Sequence, residues 1–313
     1  MGTTNTRGWL LAGKEIVARE RAPIGVRDSA RTGTTDIIHR TLKDLFRALL
    51  DQALDHKPAI ILGAGMITSS LGLLEIDHVP APAGEQELAY GMRRLLNPQI
   101  TELPIWLVPG VRTGPVHPEI SDLSETDVIR GEETLCVGLQ QMGMLAPNST
   151  LLNLGSHWKA ITLNNRSQIA SSFTTLSGEL IHALQTHTVL SSAVPEGRLN
   201  EPDLHWLKQG SRQEKVSGLS RALFCVRILE QKFKTTAVQR SSFLLGAMVG
   251  CDLRAALENR KLGKKVVIAG SGAAAEAWRH FLEEEQFAVQ ICDAQAVENA
   301  FIAGLMRLAA LAD

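Results

Sequence analysis

Four stretches of the chain combine residue types that can act on a phosphate or on a hydroxyl. Gly2-Thr3-Thr4-Asn5-Thr6-Arg7 joins a glycine, which lets backbone amides approach an anion closely, to hydroxyls and an arginine. Arg130-Gly131-Glu132-Glu133-Thr134 sets two carboxylates at a predicted helix start beside a guanidinium. Acids in that position commonly answer the helix dipole. The functional alternative is a carboxylate general base next to an arginine that holds an anionic substrate. Leu154-Gly155-Ser156-His157-Trp158-Lys159 falls between two predicted strands. It is either an ordinary hairpin or a phosphate cradle built from amides, a hydroxyl and an ammonium. Val266-Val267-Ile268-Ala269-Gly270-Ser271-Gly272 runs on into three alanines as strand, GxGxxA turn and helix, with Asp293 21 residues after Gly272. That spacing fits a dinucleotide fingerprint with its ribose-binding acid. It serves equally well as a turn at the adenosine end of ATP. Only 41 residues follow Gly272, too few for a whole dinucleotide fold.

The elements that must position these stretches alternate between strand and helix, which predicts an α/β architecture. Strands are expected near Gly8–Val17, Ala59–Leu62, Pro104–Val108, Ser149–Leu154, Lys159–Leu163, Lys265–Ala269 and Phe287–Cys292. Thr35–His56 carries Ile38, Leu42, Leu45, Phe46, Leu49 and Leu50 at helical spacing. Further helices are predicted over Glu132–Met144, Gly178–Leu190, Ser217–Gln231, Gln239–Asn259 and from Ala294 onward. Thr174 to Glu179, TTLSGE, follows a further strand and reads as a cap or a polar turn. Ala146-Pro147-Asn148-Ser149 reads as a linker, so residues 1–145 and 146–313 are expected to form two domains.

Composition narrows the classes. A chain of 313 residues with 44% hydrophobic residues can bury two cores. Lysine and arginine number 32 against 33 acids, a net charge of −1, which argues against general affinity for nucleic acid or anionic membranes. Cys136, Cys225, Cys251 and Cys292 are far apart and form no CxxC, so they read as reduced thiols. No apolar run of about 18 residues and no leader-like start are present, and a cytoplasmic protein is the expectation.

Taken together the motifs resemble the 2-dehydro-3-deoxygalactonokinase family. The resemblance rests on GTTNTRGWLL from Gly2, GAGMITSSLG from Gly63, VPGV from Val108 and DVIRGEET from Asp127. LGSHWK from Leu154, TLSGEL from Thr175, LFCVR from Leu223 and VVIAGSG from Val266 follow in the same order and extend it over nearly the whole chain. RGEET and TLSGEL are the specific motifs. The resemblance implies a two-domain actin-like, sugar-kinase fold with an ATP cleft between the domains. It implies ATP and Mg²⁺ as cofactors, and transfer of the γ-phosphoryl group to the 6-hydroxyl of 2-dehydro-3-deoxygalactonate. By the superfamily pattern, Gly2, Thr3 and Thr4 form the first phosphate loop. Gly155, Ser156 and Lys159 form the second, and Gly270, Ser271 and Gly272 face adenosine.

Within that frame Glu132 is the candidate base, with Glu133 and Asp127 as alternates. Arg130, Arg7 and Asn5 are candidate substrate contacts, and no metal ligand stands out. The expected partners are the sugar acid and ATP, with a homodimer compatible and no nucleic acid or membrane. The superfamily's first loop follows a strand ending in an aspartate. Here Met1 directly precedes Gly2, so the expectation is a chain of reduced stability or activity that upstream in-frame codons would restore. A nicotinamide-dependent oxidoreductase using Asp293, and a non-catalytic sugar or nucleotide sensor, are the competing readings.

Overall fold

The computed structural model describes residues 1–197, 199–259 and 261–312. The chain divides into two compact units, Met1–Met142 with Ala300–Asp313, and Gly143–Asn299.

The first unit opens on an antiparallel hairpin, β1 (Thr6–Ala12) and β2 (Glu15–Ala22). The one strand predicted near Gly8–Val17 is thus two strands joined by a turn. Strand β2, EIVARERA, alternates charges with small and apolar residues, and that pattern hides a strand with a solvated face. Two helices follow, α1 (Val26–Thr32) and α2 (Asp36–Gln52). Helix α2 buries Ile38, Leu42, Leu45 and Leu49 and exposes Arg40, Lys43, Asp44 and Arg47. Its stripe is long enough to serve two clusters. Leu45 and Leu49 pack on Leu10 and Ala18 of the hairpin. Ile38 and Leu42 pack with Ile67, Ile105 and Leu107.

The rest of this unit comprises β3 (Ile61–Gly63), β4 (Val79–Pro80), α3 (Glu85–Gly91), β5 (Arg93–Asn97), β6 (Thr101–Leu107), β7 (Val111–Thr113), β8 (Asp127–Ile129) and α4 (Glu132–Gln141). Strands β3-β6-β5 form one sheet and β4-β7-β8 another. Among the described residues β1 pairs with β2 alone, and β3 with β6 alone. The Met1 carbonyl accepts from the Met66 amide at 2.9 Å, tying the chain start to the turn after β3.

The second unit holds a five-stranded sheet in the order β11-β10-β9-β12-β13. Its strands are β9 (Ser149–Leu154), β10 (Trp158–Leu163), β11 (Ile169–Thr175), β12 (Lys265–Ala269) and β13 (Ala288–Cys292). Between β11 and β12 lie α5 (Ser177–His187), α6 (Leu204–Ser217), α7 (Leu219–Lys232) and α8 (Ala237–Glu258); α9 (Ala273–Glu284) joins β12 to β13. Strands β9, β10 and β11 are antiparallel, whereas β9, β12 and β13 run parallel. One face packs Leu152, Trp158, Ala160, Val266 and Ile268 against α8 and α9. The final helix, α10 (Ala294–Ala312), starts in this unit and belongs to the first unit from Ala300 onward. No helix among the described residues is long and apolar enough to cross a membrane.

Candidate active site

In the first unit three backbone segments meet at glycines. Gly131 caps α4 with φ 106°, a conformation a side chain would strain, and a Cβ there would lie 3.2 Å from Gly65 Cα. A Cβ on Gly65 would in turn overlap the Met1 carbonyl oxygen. The small residues of GAGM and RGEET are therefore what let the chain start, the turn after β3 and the start of α4 come together.

The loop from Gly2 to Asn5 is a tight turn closed by the Gly2 amide donating to the Asn5 carbonyl at 2.8 Å. The Gly2 and Thr3 carbonyls accept from Val26 and Arg27 at the start of α1, at 3.3 and 2.9 Å. A phosphate oxygen takes donors, so what the loop can offer one is its backbone amides and its threonine hydroxyls. The Asn5 amide donates to Thr4 Oγ1 at 2.8 Å, and its oxygen accepts from Arg21 at 3.0 and 3.3 Å. Asn5 thus shapes the loop. Arg7 is exposed on β1, opposite Arg21.

The two adjacent glutamates of α4 have different surroundings. Glu133 is fully buried, and both its oxygens accept from the Gly131 amide, at 2.8 and 2.7 Å. The Thr134 hydroxyl donates to it at 3.2 Å. Burial pushes its carboxyl up to about 8, the charge of Glu132 adds to the rise, and the hydrogen bonds oppose it. Glu132 beside it is only half-buried. Asp127 sits at the far end of β8 and its carboxylate accepts from the Val128 amide at 2.8 Å. Arg130 donates to Thr68 Oγ1 at 2.9 Å and to the Ile76 carbonyl at 2.7 Å, and lies 3.5 Å from His78 Nδ1.

Glu133 makes a pH-dependent contribution whose sign follows from its raised value. The folded state holds the proton more tightly than the unfolded chain, where the ordinary value is 4.5. Its stabilising term is fully present below about 4.5 and is lost as pH rises towards 8, at up to about 1.4 kcal/mol per pH unit. Glu133→Gln keeps an acceptor for Gly131 and cannot ionise. Its melting temperature relative to wild type is expected to climb steadily between pH 5 and pH 8. A constant difference across that range would show that Glu133 is already ionised at pH 5.

In the second unit Gly155 and Ser156 are exposed in the turn between β9 and β10. The Ser156 carbonyl accepts from the Glu179 amide at 2.7 Å. A Cβ on Gly178 would overlap the Gly155 carbonyl oxygen, which explains why glycine follows Ser177 in TLSGEL. His157 Nε2 and Glu179 lie 3.1 Å apart beside the turn. The Thr175 hydroxyl donates to the buried Asp252 of α8 at 2.8 Å, and Ser177 also bonds to it. Burial outweighs these hydrogen bonds and raises the Asp252 carboxyl above the ordinary range. TLSGEL therefore fixes the turn from behind. Leu176 occupies the cap position of α5 without a side-chain cap bond.

Lys159 lies within β10, in a lateral row with Thr174, Asn153 and Ala269. Two strand spacings, about 10 Å, separate it from Ala269, the residue before Gly270. Ser271 and Gly272 are exposed, and Gly272 has φ 69° at the start of α9. The Ala273 amide donates to the Leu199 carbonyl at 3.0 Å, so one α9 N-terminal donor is already taken. Asp293 caps α10, accepting from the Ala296 amide at 2.7 Å. A ribose-binding acid would need that carboxylate free, and a dinucleotide fold needs a parallel sheet where this one is mixed. Both points count against the oxidoreductase reading.

A mixed sheet with a glycine-rich turn at the exit of β12 in the second unit, and a hydroxyl-bearing loop in the first, are the features to compare with known folds. Two solved structures share the fold with nearly full coverage. They are the activator of 2-hydroxyisocaproyl-CoA dehydratase from Clostridium difficile with bound ADPNP (TM-score 0.50, 12% identity, 99% of this chain and 93% of that one), and the (R)-2-hydroxyglutaryl-CoA dehydratase component A of Acidaminococcus fermentans (0.52, 13%, 100% and 97%). The fold is that of the actin-like ATPases. More specifically, the family model for 2-keto-3-deoxy-galactonokinase matches residues 1–308, and the chain belongs to that family of sugar-acid kinases. It is 25% identical to the 2-dehydro-3-deoxygalactonokinase of Escherichia coli (strain K12) over 98% of this chain and 95% of that one. A Sinorhizobium meliloti structure provisionally described as a 2-dehydro-3-deoxygalactonokinase superposes with TM-score 0.77 at 25% identity, covering 98% of this chain and 96% of that one. Kinases of this family draw their phosphoryl group from ATP.

Proposed function

We propose that the chain transfers the γ-phosphoryl group of ATP to the 6-hydroxyl of 2-dehydro-3-deoxy-D-galactonate. Family membership supports the substrate, and the unequal glutamate pair at the start of α4 is the observation that supports the chemistry. Phosphoryl transfer needs positioning, charge neutralisation and an acceptor for the attacking hydroxyl's proton. Glu132 is the accessible carboxylate and takes that proton. Glu133, wholly buried and bonded to Gly131, holds the helix start that aims it. Gly155, Ser156 and Lys159 bind ATP phosphates, the Gly270–Gly272 turn receives adenosine, and Thr3 and Thr4 add hydroxyl donors. Arg130 meets the acid end of the sugar.

Mg²⁺ usually keeps several waters and binds phosphate oxygens with few protein ligands. Among the described residues no group of three or more His, Cys, Asp or Glu could hold a metal. The Thr3 and Thr4 hydroxyls are hard oxygens of the first unit that could meet its water shell. Such an ion would neutralise charge on the transferring group.

The test is a panel of 2-keto-3-deoxy sugar acids incubated with ATP and Mg²⁺ and followed by ADP release. The galactonate-derived acid is expected to give the highest kcat/KM. Binding of nucleotide and sugar acid with no ADP formed would favour a sensor instead.

A further inference from the structure

One face of the β4-β7-β8 sheet gathers two arginines and a histidine whose side chains hydrogen-bond to neutral groups. His78, Gly110 and Arg130 lie in one lateral row, because the Val79 amide bonds to the Gly110 carbonyl and Val111 pairs with Ile129. Side chains alternate along a strand. Val111 and Ile129 therefore face the core, and Arg112, two residues beyond Gly110, lies on the same face as His78 and Arg130. Thr113 and Asp127 fall on the core-facing side. Gly110 makes the cluster feasible. A Cβ there would lie 2.6 Å from Arg130 Cγ and 2.8 Å from His78 Cδ2.

Both arginines are half-buried, and both bond only to neutral acceptors. Arg112 donates from Nη1 to the Pro115 and Val116 carbonyls at 3.1 and 2.9 Å. Arg130 uses Thr68 and Ile76 as described. Among the described residues no acid pairs with either of them. Burial nevertheless lowers the Arg130 guanidinium, and the charges of Glu133, Glu75 and Asp77 offset that only in part, so a ligand carboxylate in direct contact would be favourable. His78 reports the same positive field. Burial, then Arg130 and then Arg112 depress it to about 4, with Asp77 opposing, so it is neutral at physiological pH. With Nδ1 turned to Arg130, a neutral His78 has an Nε2–H to donate.

We infer that His78, Arg112 and Arg130 form the anchor for the carboxylate of the sugar acid, and that they set the enzyme's preference for acids over neutral sugars. This rests on the sugar-acid kinase reading and adds two residues that the motifs did not single out. The planar fork of Arg112 suits a carboxylate, and lysine would not reproduce it.

The test compares wild type with Arg112→Gln and His78→Gln, on the sugar acid and on its carboxamide. Melting temperature serves as a folding check, and calorimetry of the sugar acid without ATP as a second readout. Wild type is expected to favour the acid. Each variant should lose about 10- to 100-fold in kcat/KM for the acid, leave the carboxamide little changed, and keep its KM for ATP. Acid preference and acid binding unchanged in both variants would overturn the assignment while leaving the kinase reading intact. A rise in KM for ATP instead would place the cluster on the nucleotide and overturn it too. Acid binding in wild type that the variants lose, with no ADP formed by any of them, would sustain the anchor and remove the kinase reading.

Discussion

Glu132→Gln is expected to lower kcat by about 10²–10⁴-fold, the usual worth of a general base, while KM for ATP stays near wild type. The substitution is close to isosteric and keeps the residue at the first position of α4. The lost helix-dipole interaction costs about 0.3–1 kcal/mol of stability. Removing the charge also relieves the buried Glu133, whose carboxyl Glu132 helps to push up. A kinetic loss of 10²–10⁴-fold corresponds to roughly 3–5 kcal/mol, and an unchanged melting temperature separates it from unfolding. Asp127→Asn serves as the comparison. Asp127 is bonded to its own strand and lies five residues upstream on β8, so this variant should retain most activity. If Glu132→Gln turns over like wild type and Glu133→Gln does not, the proton goes to Glu133, and the role argued from its burial is wrong.

The sequence was most legible where one local signal sufficed. Helix α2 shows its apolar stripe outright, and β12 is a run of buried β-branched residues before a glycine turn. Strand β5, RRLLN, and helix α6, with Gly210 inside it, carry no comparable signal. Gly210 looks like a helix breaker from sequence. In the structure a Cβ there would overlap the Phe243 carbonyl oxygen, so it is a contact residue between α6 and α8. The site divides in the same way. RGEET announces its carboxylates, but which one is accessible depends on Gly131 at φ 106°, a backbone choice that the residue order does not reveal. Asn5 reads as a ligand contact, and only the fold shows Arg21, sixteen residues on, bonded to its side-chain oxygen. His78 and Arg112 come together only through the pairing of strands two and three residues long, too short to leave a pattern.

Gly138→Ala is expected to destabilise the first unit by at least about 3 kcal/mol, although alanine is the better helix former by about 1 kcal/mol. A Cβ at Gly138 of α4 would overlap the Ala300 carbonyl oxygen, and one at Gly304 of α10 would overlap the Thr134 carbonyl oxygen. The crossing is reciprocal, each glycine seated on the other helix's backbone. A side chain can rotate away from an intruding methyl, whereas a helical carbonyl cannot, so the helices must separate. Separation loosens the packing of Leu135, Leu139, Leu305 and Leu308, all buried. For a unit of this size, about 3 kcal/mol corresponds to a fall in melting temperature of roughly 10 °C. Ala300→Gly should not rescue Gly138→Ala, because the obstructing atom belongs to the backbone. Gly304→Ala should give a similar loss by itself. The double alanine variant should lose much less than the sum, since helices already parted for one methyl accommodate the second cheaply. Glu132 sits at the first position of the displaced helix, so Gly138→Ala should also lower kcat at temperatures where it remains folded. A Gly138→Ala protein that melts at or above the wild-type temperature would show that the crossing has slack, and that α4 is not held in place by α10.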